Sequence, residues 1–252
     1  MKFIILGCGS SMGVPRADGF FGNCDPKNSK NIRTRCSALI QTKNENILID
    51  TSPDLRKQLL DNNIKNISSV IYTHKHADQT HGINDLRVFS LKNKKRLPIY
   101  ADSETRKYLS KNFSYCFMEN KDYPAILKIN LIKRNLDFGK LINIKVIKVK
   151  HGYIDSLAFI INKKIAYLPD VNKIFKKDLK NFFKINYLII DCLRYKKHIS
   201  HFNLDDVLSL NYELKPKKMI LTNLHSDLDY KKLLDILPKN IKPAYDGLTI
   251  NF

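Results

Sequence analysis

Apolar residues come along this chain in short runs that end on a glycine or a polar residue. Lys2 to Leu6, closed by Gly7, predicts a buried strand. Cys36 to Thr42 and Asn46 to Asp50 predict a strand pair around a turn at Lys43, Asn44 and Glu45. Further strands are expected at Val70 to Tyr72, Pro98 to Ala101, Leu157 to Ile161, Ile165 to Leu168 and Lys218 to Leu221. From Leu141 to Lys150 the pattern LINIKVIKVK alternates apolar and polar residues, as a strand with one wet face does. Tyr187 to Ile190 is apolar throughout, as in a sheet interior.

Helices fall between these runs. One is expected from Pro53, with Ser52 as its N-cap and proline at the first helical position. Ile83 to Leu91 reads as a helix with Leu86, Val88 and Phe89 facing inward, and Ser103 to Phe113 as a basic surface helix. Asn203 caps another, with Asp205 and Asp206 in its first turn complementing the helix dipole. Tyr115 to Lys140 has no clear period, and no element is assigned to it. No Pro/Gly/Ser-rich linker divides the 252 residues, so residues 1–252 are expected to form a single layered α/β domain.

Composition narrows the function classes. The net charge of +20 favours anionic ligands and raises nucleic acid as a partner. The lysines, however, are scattered among Ile and Asn, in runs such as KNKKR at Lys92 to Arg96 and KPKK at Lys215 to Lys218, as on a solvated surface encoded by AT-rich codons. Cys8, Cys24, Cys36, Cys116 and Cys192 show no CxxC spacing, so reduced thiols are expected rather than a disulfide framework. Only four apolar residues follow Lys2 before Gly7, too few for a signal sequence, and no run is long enough to span a membrane. The expected location is the cytoplasm.

The densest chemistry lies at Thr73 to Gly82, THKHADQTHG. His74 and His76 are one residue apart, so in extended or loop backbone both imidazoles can face one side and share a cation. Asp78 adds an oxygen ligand suited to a divalent ion. The competing reading is a polar loop whose histidines cap a short helix near Asp78 or Gln79. Upstream, Gly9, Gly13, Gly19 and Gly22 allow a long irregular loop, in which Arg16, Arg33 and Arg35 are candidates for a bidentate grip on phosphate.

The segment resembles the HxHxDH signature of the metallo-β-lactamase superfamily, with His74, His76 and Asp78 matching and Gln79 standing where the family has a second-metal histidine. GCGSSMGVPR from Gly7, CDPKNSKNIRTRCS from Cys24, DTSPDLR from Asp50, GINDLR from Gly82 and PAYDGL near the end extend the resemblance over nearly the whole chain. Together they look like the branch that includes the phosphoribosyl cyclic phosphate phosphodiesterase of the phosphonate pathway. That branch implies an α/β, four-layer αββα sandwich, with two mixed sheets face to face, helices outside and ligands on loops at one edge.

The resemblance also assigns residues. It implies a first metal held by His74, His76, His151 and Asp170, with Asp50 buttressing the loop by hydrogen bonding. A second metal would take Asp78, the bridging Asp170 and the positions of Gln79 and Asn223, where amides now stand and bind far more weakly than imidazole. Three outcomes stay open: His81 and His225 swing in, a manganese ion is held by amides and carboxylates, or one ion binds alone. The cofactor expected is thus one or two divalent ions, zinc or manganese. Catalysis is expected from Asp78 and His201, the latter protonating the leaving oxygen, although His201 also reads as a helix-entry residue bonded to backbone. Only Cys24 remains where the resembled enzyme binds a structural zinc through several cysteines.

The implied reaction is hydrolysis of a small cyclic or nucleotide-like phosphodiester by metal-activated water. A tRNA 3′-processing ribonuclease of the Z type shares the signature, but no Gly/Pro-rich arm for gripping tRNA is present. A non-catalytic descendant that binds an anion or nucleic acid is the alternative from another class. Partners expected are a small phosphate-containing substrate and no membrane; nucleic acid and a homodimer stay open.

Overall fold

The computed structural model describes residues 1–119, 121 and 123–252; Asn120 and Asp122, inside the segment to which no element was assigned, lie outside the described residues. In chain order the elements are β1 Lys2–Gly7, β2 Ser37–Gln41, β3 Asn46–Ile49, α1 Leu55–Asp61, β4 Ser69–Ile71, α2 Ala77–Thr80, α3 Arg87–Asn93, β5 Leu97–Ala101, α4 Ser103–Asn112 and β6 Leu127–Leu131. They continue with β7 Asn135–Phe138, β8 Ile142–His151, β9 Ile154–Ile161, β10 Ile165–Leu168, α5 Lys176–Leu179, β11 Tyr187–Asp191, α6 Leu204–Leu214, β12 Lys218–Thr222, α7 Tyr230–Ile236, β13 Ile241–Pro243 and β14 Leu248–Asn251.

The chain gathers into two compact units. The first comprises Met1–Leu6, Ser37–Lys133 and Gly247–Phe252, and carries a sheet of order β14-β1-β2-β3-β4-β5-β6. From β3 to β6 its strands run parallel, with Ile47 paired to Ser69 and Ile99 to Ile129. Its core sets Leu39, Leu48, Val70 and Ile99 of the sheet against Leu55 and Leu59 of α1, Phe89 of α3 and Leu109 of α4. Parallel strands feed helices at their carboxyl ends, and those ends are where such sheets bind ligands.

The second unit, Gly7–Cys36 and Arg134–Asp246, carries a sheet of order β13-β12-β11-β10-β9-β8-β7. β10, β11 and β12 are parallel, whereas β8 and β9 pair antiparallel, so the carboxyl ends of β8, β10, β11 and β12 share one sheet edge. β11 lies mid-sheet and is buried from Leu188 to Asp191, which explains its unbroken apolar run. The core packs Val149, Leu168, Ile190 and Leu221 against Val207 and Leu214 of α6 and Leu233 of α7. Asn203 accepts from Asp206 N and Asp206 returns a bond to the cap, the expected start of α6 in full.

Two helix expectations shift. α1 starts at Leu55 rather than Pro53, because Ser52 Oγ accepts from Asp54 N at 3.1 Å in a turn ahead of the helix. The Ile83 to Leu91 helix divides into a 3-10 turn at Ile83–Leu86 and α3. The tighter turn changes the phase: Leu86 and Phe89 stay buried while Val88 is 58% exposed. The unassigned Tyr115 to Lys140 segment supplies β6 and β7, whose strands have few buried positions to mark them. No described helix is long and apolar enough to cross a membrane.

Gly82 ties the loop after β4 to the turn after β3. Its N–H donates to Thr51 O at 2.9 Å, and a Cβ there would lie 2.0 Å from Ser52 O. Backbone cannot give way as a flexible side chain does. Gly82→Ala is therefore expected to lower the unfolding free energy by more than about 3 kcal/mol, read from urea denaturation against the wild type.

Candidate metal centre

In the first unit the site grows from two strand ends. Asp50 follows β3 with φ of 61°, a left-handed conformation that aspartate tolerates. Its carboxylate accepts from Thr73 N and from Thr73 Oγ1, each at 2.8 Å. Having given its hydrogen to Asp50, Thr73 Oγ1 accepts from Nδ1–H of His74 at 3.0 Å. The lone pair of His74 is thereby placed on Nε2, which stands 3.0 Å from His76 Nδ1. With Zn–N bonds of 2.0–2.1 Å, two nitrogens of a tetrahedral site are about 3.3 Å apart, so this spacing fits a shared ion.

Asp50 is fully buried. Burial pushes its carboxyl well above the ordinary range, the two Thr73 donors oppose that shift, and the charge of Asp78 adds to it. Asp78 sits in the first turn of α2, half-buried, and accepts from Gln79 Nε2 at 3.3 Å. His81 faces α4 instead: its Nε2 is 2.9 Å from Tyr108 Oη and its ring lies edge-on to Phe113.

In the second unit His151 ends β8, Asp170 follows β10, Asp191 ends β11 and Asn223 follows β12, all at the shared edge. The ligand atoms of His151, Asp170 and His201 all lie within 4.8 Å of one another. His151 Nδ1 donates to Ser200 O at 2.7 Å, and His201 Nδ1 to Asp191 Oδ2 at 2.7 Å. Each bond fixes a tautomer with the lone pair on Nε2. Asp191 is buried and also accepts from Val171 N at 3.0 Å; burial lifts its carboxyl to about 6 against the pull of His201. His201 was expected as a proton donor, and it stands among metal-ligand types as well.

Asn223 has φ of 61°, and its Nδ2 donates to Pro169 O at 2.9 Å and to Asp170 Oδ1 at 3.2 Å. It steadies Asp170 as a donor. His225 Nδ1 lies 3.3 Å from Asp227 Oδ1, and His225 is outside the cluster formed by His151, Asp170 and His201.

The early loop corrects one expectation. Arg33 is buried, donating to Leu228 O at 2.7 Å and Asn31 Oδ1 at 3.0 Å, so its guanidinium serves the loop's own structure rather than phosphate. Arg16 pairs with Asp18, and Arg35 Nε donates to Ser11 O at 2.9 Å. Cys24 donates to Ser226 O at 3.3 Å, and Asn31 Nδ2 to Asp229 Oδ2 at 2.6 Å. Sequence reasoning missed Thr73, Ser200 and Asp191, the partners that set the histidine tautomers. Asp191 alone left a trace: it closes an apolar run, as Asp50 and Asp170 do.

Asp50→Asn tests the proton chain. The new amide hydrogen would point at Thr73 Oγ1, turning the hydroxyl towards His74 Nδ1 and moving the imidazole proton to Nε2. Zinc affinity by titration calorimetry is expected to fall about 10–100-fold with the circular dichroism spectrum unchanged.

Residues 45–223 match the family model described as "Beta-lactamase superfamily domain". The chain is 30% identical to the crystal structure of a diphosphatase from the PhnP family, covering 100% of this chain and 97% of that one at a TM-score of 0.89. It is 19% identical to the human tRNase Z short form, covering 100% and 99% at a TM-score of 0.71, a likeness of fold. It is also 31% identical over 255 residues to a protein of Porphyromonas gingivalis named octanoyltransferase, and spans 51% of that relative's length. The chain therefore belongs to the β-lactamase superfamily, with the metallo-β-lactamase fold, in the branch that holds the PhnP family.

Proposed function

We propose that this chain is a divalent-metal-dependent hydrolase acting on a small cyclic or nucleotide-like phosphodiester, with zinc or manganese held by His74, His76, His151 and Asp170. The observation that carries this reading is the pinned imidazole. His74 and His151 each give one ring nitrogen to a protein acceptor and keep a lone pair on the other. A buried histidine serving packing alone has no need of that arrangement at a strand end. The 30% identity to a PhnP-family diphosphatase supports a phosphate-bearing substrate, and so does the charge of +20.

A bound ion supplies positive charge that acidifies water and offsets charge on the phosphoryl oxygens. The chain's own residues do the rest. Asp50 and Thr73 orient His74, Ser200 orients His151, and Asn223 holds Asp170. His201, backed by Asp191, carries a proton on Nε2 when charged and is the group that delivers it to the leaving oxygen. Asp78, beside Gln79, would offer a second ion an oxygen ligand, but the other positions for that ion are amides, which favours one ion per chain. The chain spans about half of the Porphyromonas relative, so that relative's name does not carry over to this chain.

Elemental analysis of the purified variants tests the ligand set. If both histidine groups hold one ion, His76→Ala and His151→Ala each weaken binding by more than about a hundredfold, the upper end for an outer-shell partner, and each abolishes turnover of bis(p-nitrophenyl) phosphate. His151→Ala retaining the ion at wild-type affinity would sink the proposal. The paired change Gln79→His with Asn223→His is expected to raise the count towards two ions per chain, since histidine tolerates the left-handed backbone at Asn223 better than most residues.

A further inference from the structure

A cavity of about 610 Å³ opens in the second unit, away from the metal-ligand edge. Arg134, Lys145, Lys163 and Lys184 line it together with Asn181 and Phe183, and no carboxylate is among its described lining residues. Lys145 Nζ donates to Asn181 Oδ1 at 2.6 Å, a neutral partner that leaves the ammonium charge uncompensated. Phe182 is buried in the core, and the adjacent Phe183 is 49% exposed. The segment is held rigidly from behind: Lys184 N donates to Leu214 O at 2.8 Å with φ of 53°. Lys184 Nζ lies 5.3 Å from the Phe183 ring centroid, so cation and aromatic face present one surface.

Four cations beside an exposed aromatic ring suit an anion joined to a flat π-system. We propose that this cavity is a second binding site for a nucleotide phosphate, with the four basic side chains on the phosphate oxygens and Phe183 under the adjoining base. Lys145 and His151 lie on the same strand, β8, six residues apart, roughly 20 Å at about 3.3 Å per residue. A small phosphodiester at the metal-ligand edge cannot reach that far, so the cavity either holds a separate nucleotide or grips the distal part of a single strand. The inference stands without the hydrolase reading.

The test uses the full chain, with anisotropy of fluorescein-labelled octauridylate and ATP as competitor, at two salt concentrations. Lys145→Gln with Lys184→Gln is expected to weaken binding at least about tenfold and to reduce the salt slope by roughly 1.4, two contacts at about 0.7 each. Phe183→Ala, an exposed position, is expected to cost roughly fivefold to a hundredfold. The cavity variants are expected to show the same losses in a His76→Ala background, which separates this site from the metal centre. Displacement of the labelled strand by ATP would mark a free-nucleotide site, and resistance to ATP a strand site. Unchanged affinity in the cavity variants overturns the proposal. So does an equal loss in Lys107→Gln with Lys111→Gln on the exposed face of α4, because general charge would then account for the binding.

Discussion

An imidazole can hold a cation with one nitrogen only if something keeps the proton on the other. Here that constraint is met three times: by Thr73 backed by Asp50 for His74, by the Ser200 carbonyl in the loop before α6 for His151, and by Asp191 at the end of β11 for His201. Two of the three chains of bonds end in a buried carboxylate. Burying a carboxylate is unfavourable and pushes the carboxyls of Asp50 and Asp191 upward; two donors oppose that at each, one on each oxygen of Asp50 and both on Oδ2 of Asp191. The sheets supply those donors because parallel strands deliver backbone N–H groups and short polar side chains at one edge. Thr73 N and Val171 N are both such groups.

Gln79 in the first unit and Asn223 in the second each put an amide donor on a neighbouring carboxylate. Asn223 keeps the left-handed backbone that follows β12 and turns its NH₂ onto Asp170, holding that carboxylate with a neutral donor. Gln79 similarly donates to Asp78. In each unit the amide keeps its carboxylate oriented without adding charge.

Much of this was legible in the residues. Period-two alternation marked β8, an unbroken apolar run marked the interior strand β11, and Asn203 with Asp206 marked the start of α6, because in each case a short-range physical rule decides the outcome. The spacing of His74, His76 and Asp78 was informative for the same reason. What stayed hidden depended on distant partners. Nothing near His201 in sequence says that Asp191, at the end of β11, will hold its Nδ1, and nothing near Arg33 says that Leu228 O will take its guanidinium. Val88 was misplaced because a 3-10 turn ahead of α3 alters the helical phase, a change no apolar periodicity reports.

Those distant partners also explain what the early motifs are for. Cys8 of GCGSS, Thr34 of TRCS and Asp246 of PAYDGL meet in one buried network: Asp246 accepts from Cys8 N at 3.0 Å, Thr34 N at 2.7 Å and Thr34 Oγ1 at 2.6 Å. Asp25, Asn31, Arg33 and Asp229 form a second, in which Asp229 Oδ2 accepts from Asp25 N and from Asn31 Nδ2. Residues this committed to internal bonds cannot also read a substrate. Likeness at these residues therefore reports the fold and the seating of the loop. The basic cavity around Phe183 is lined by side chains that lie outside these stretches.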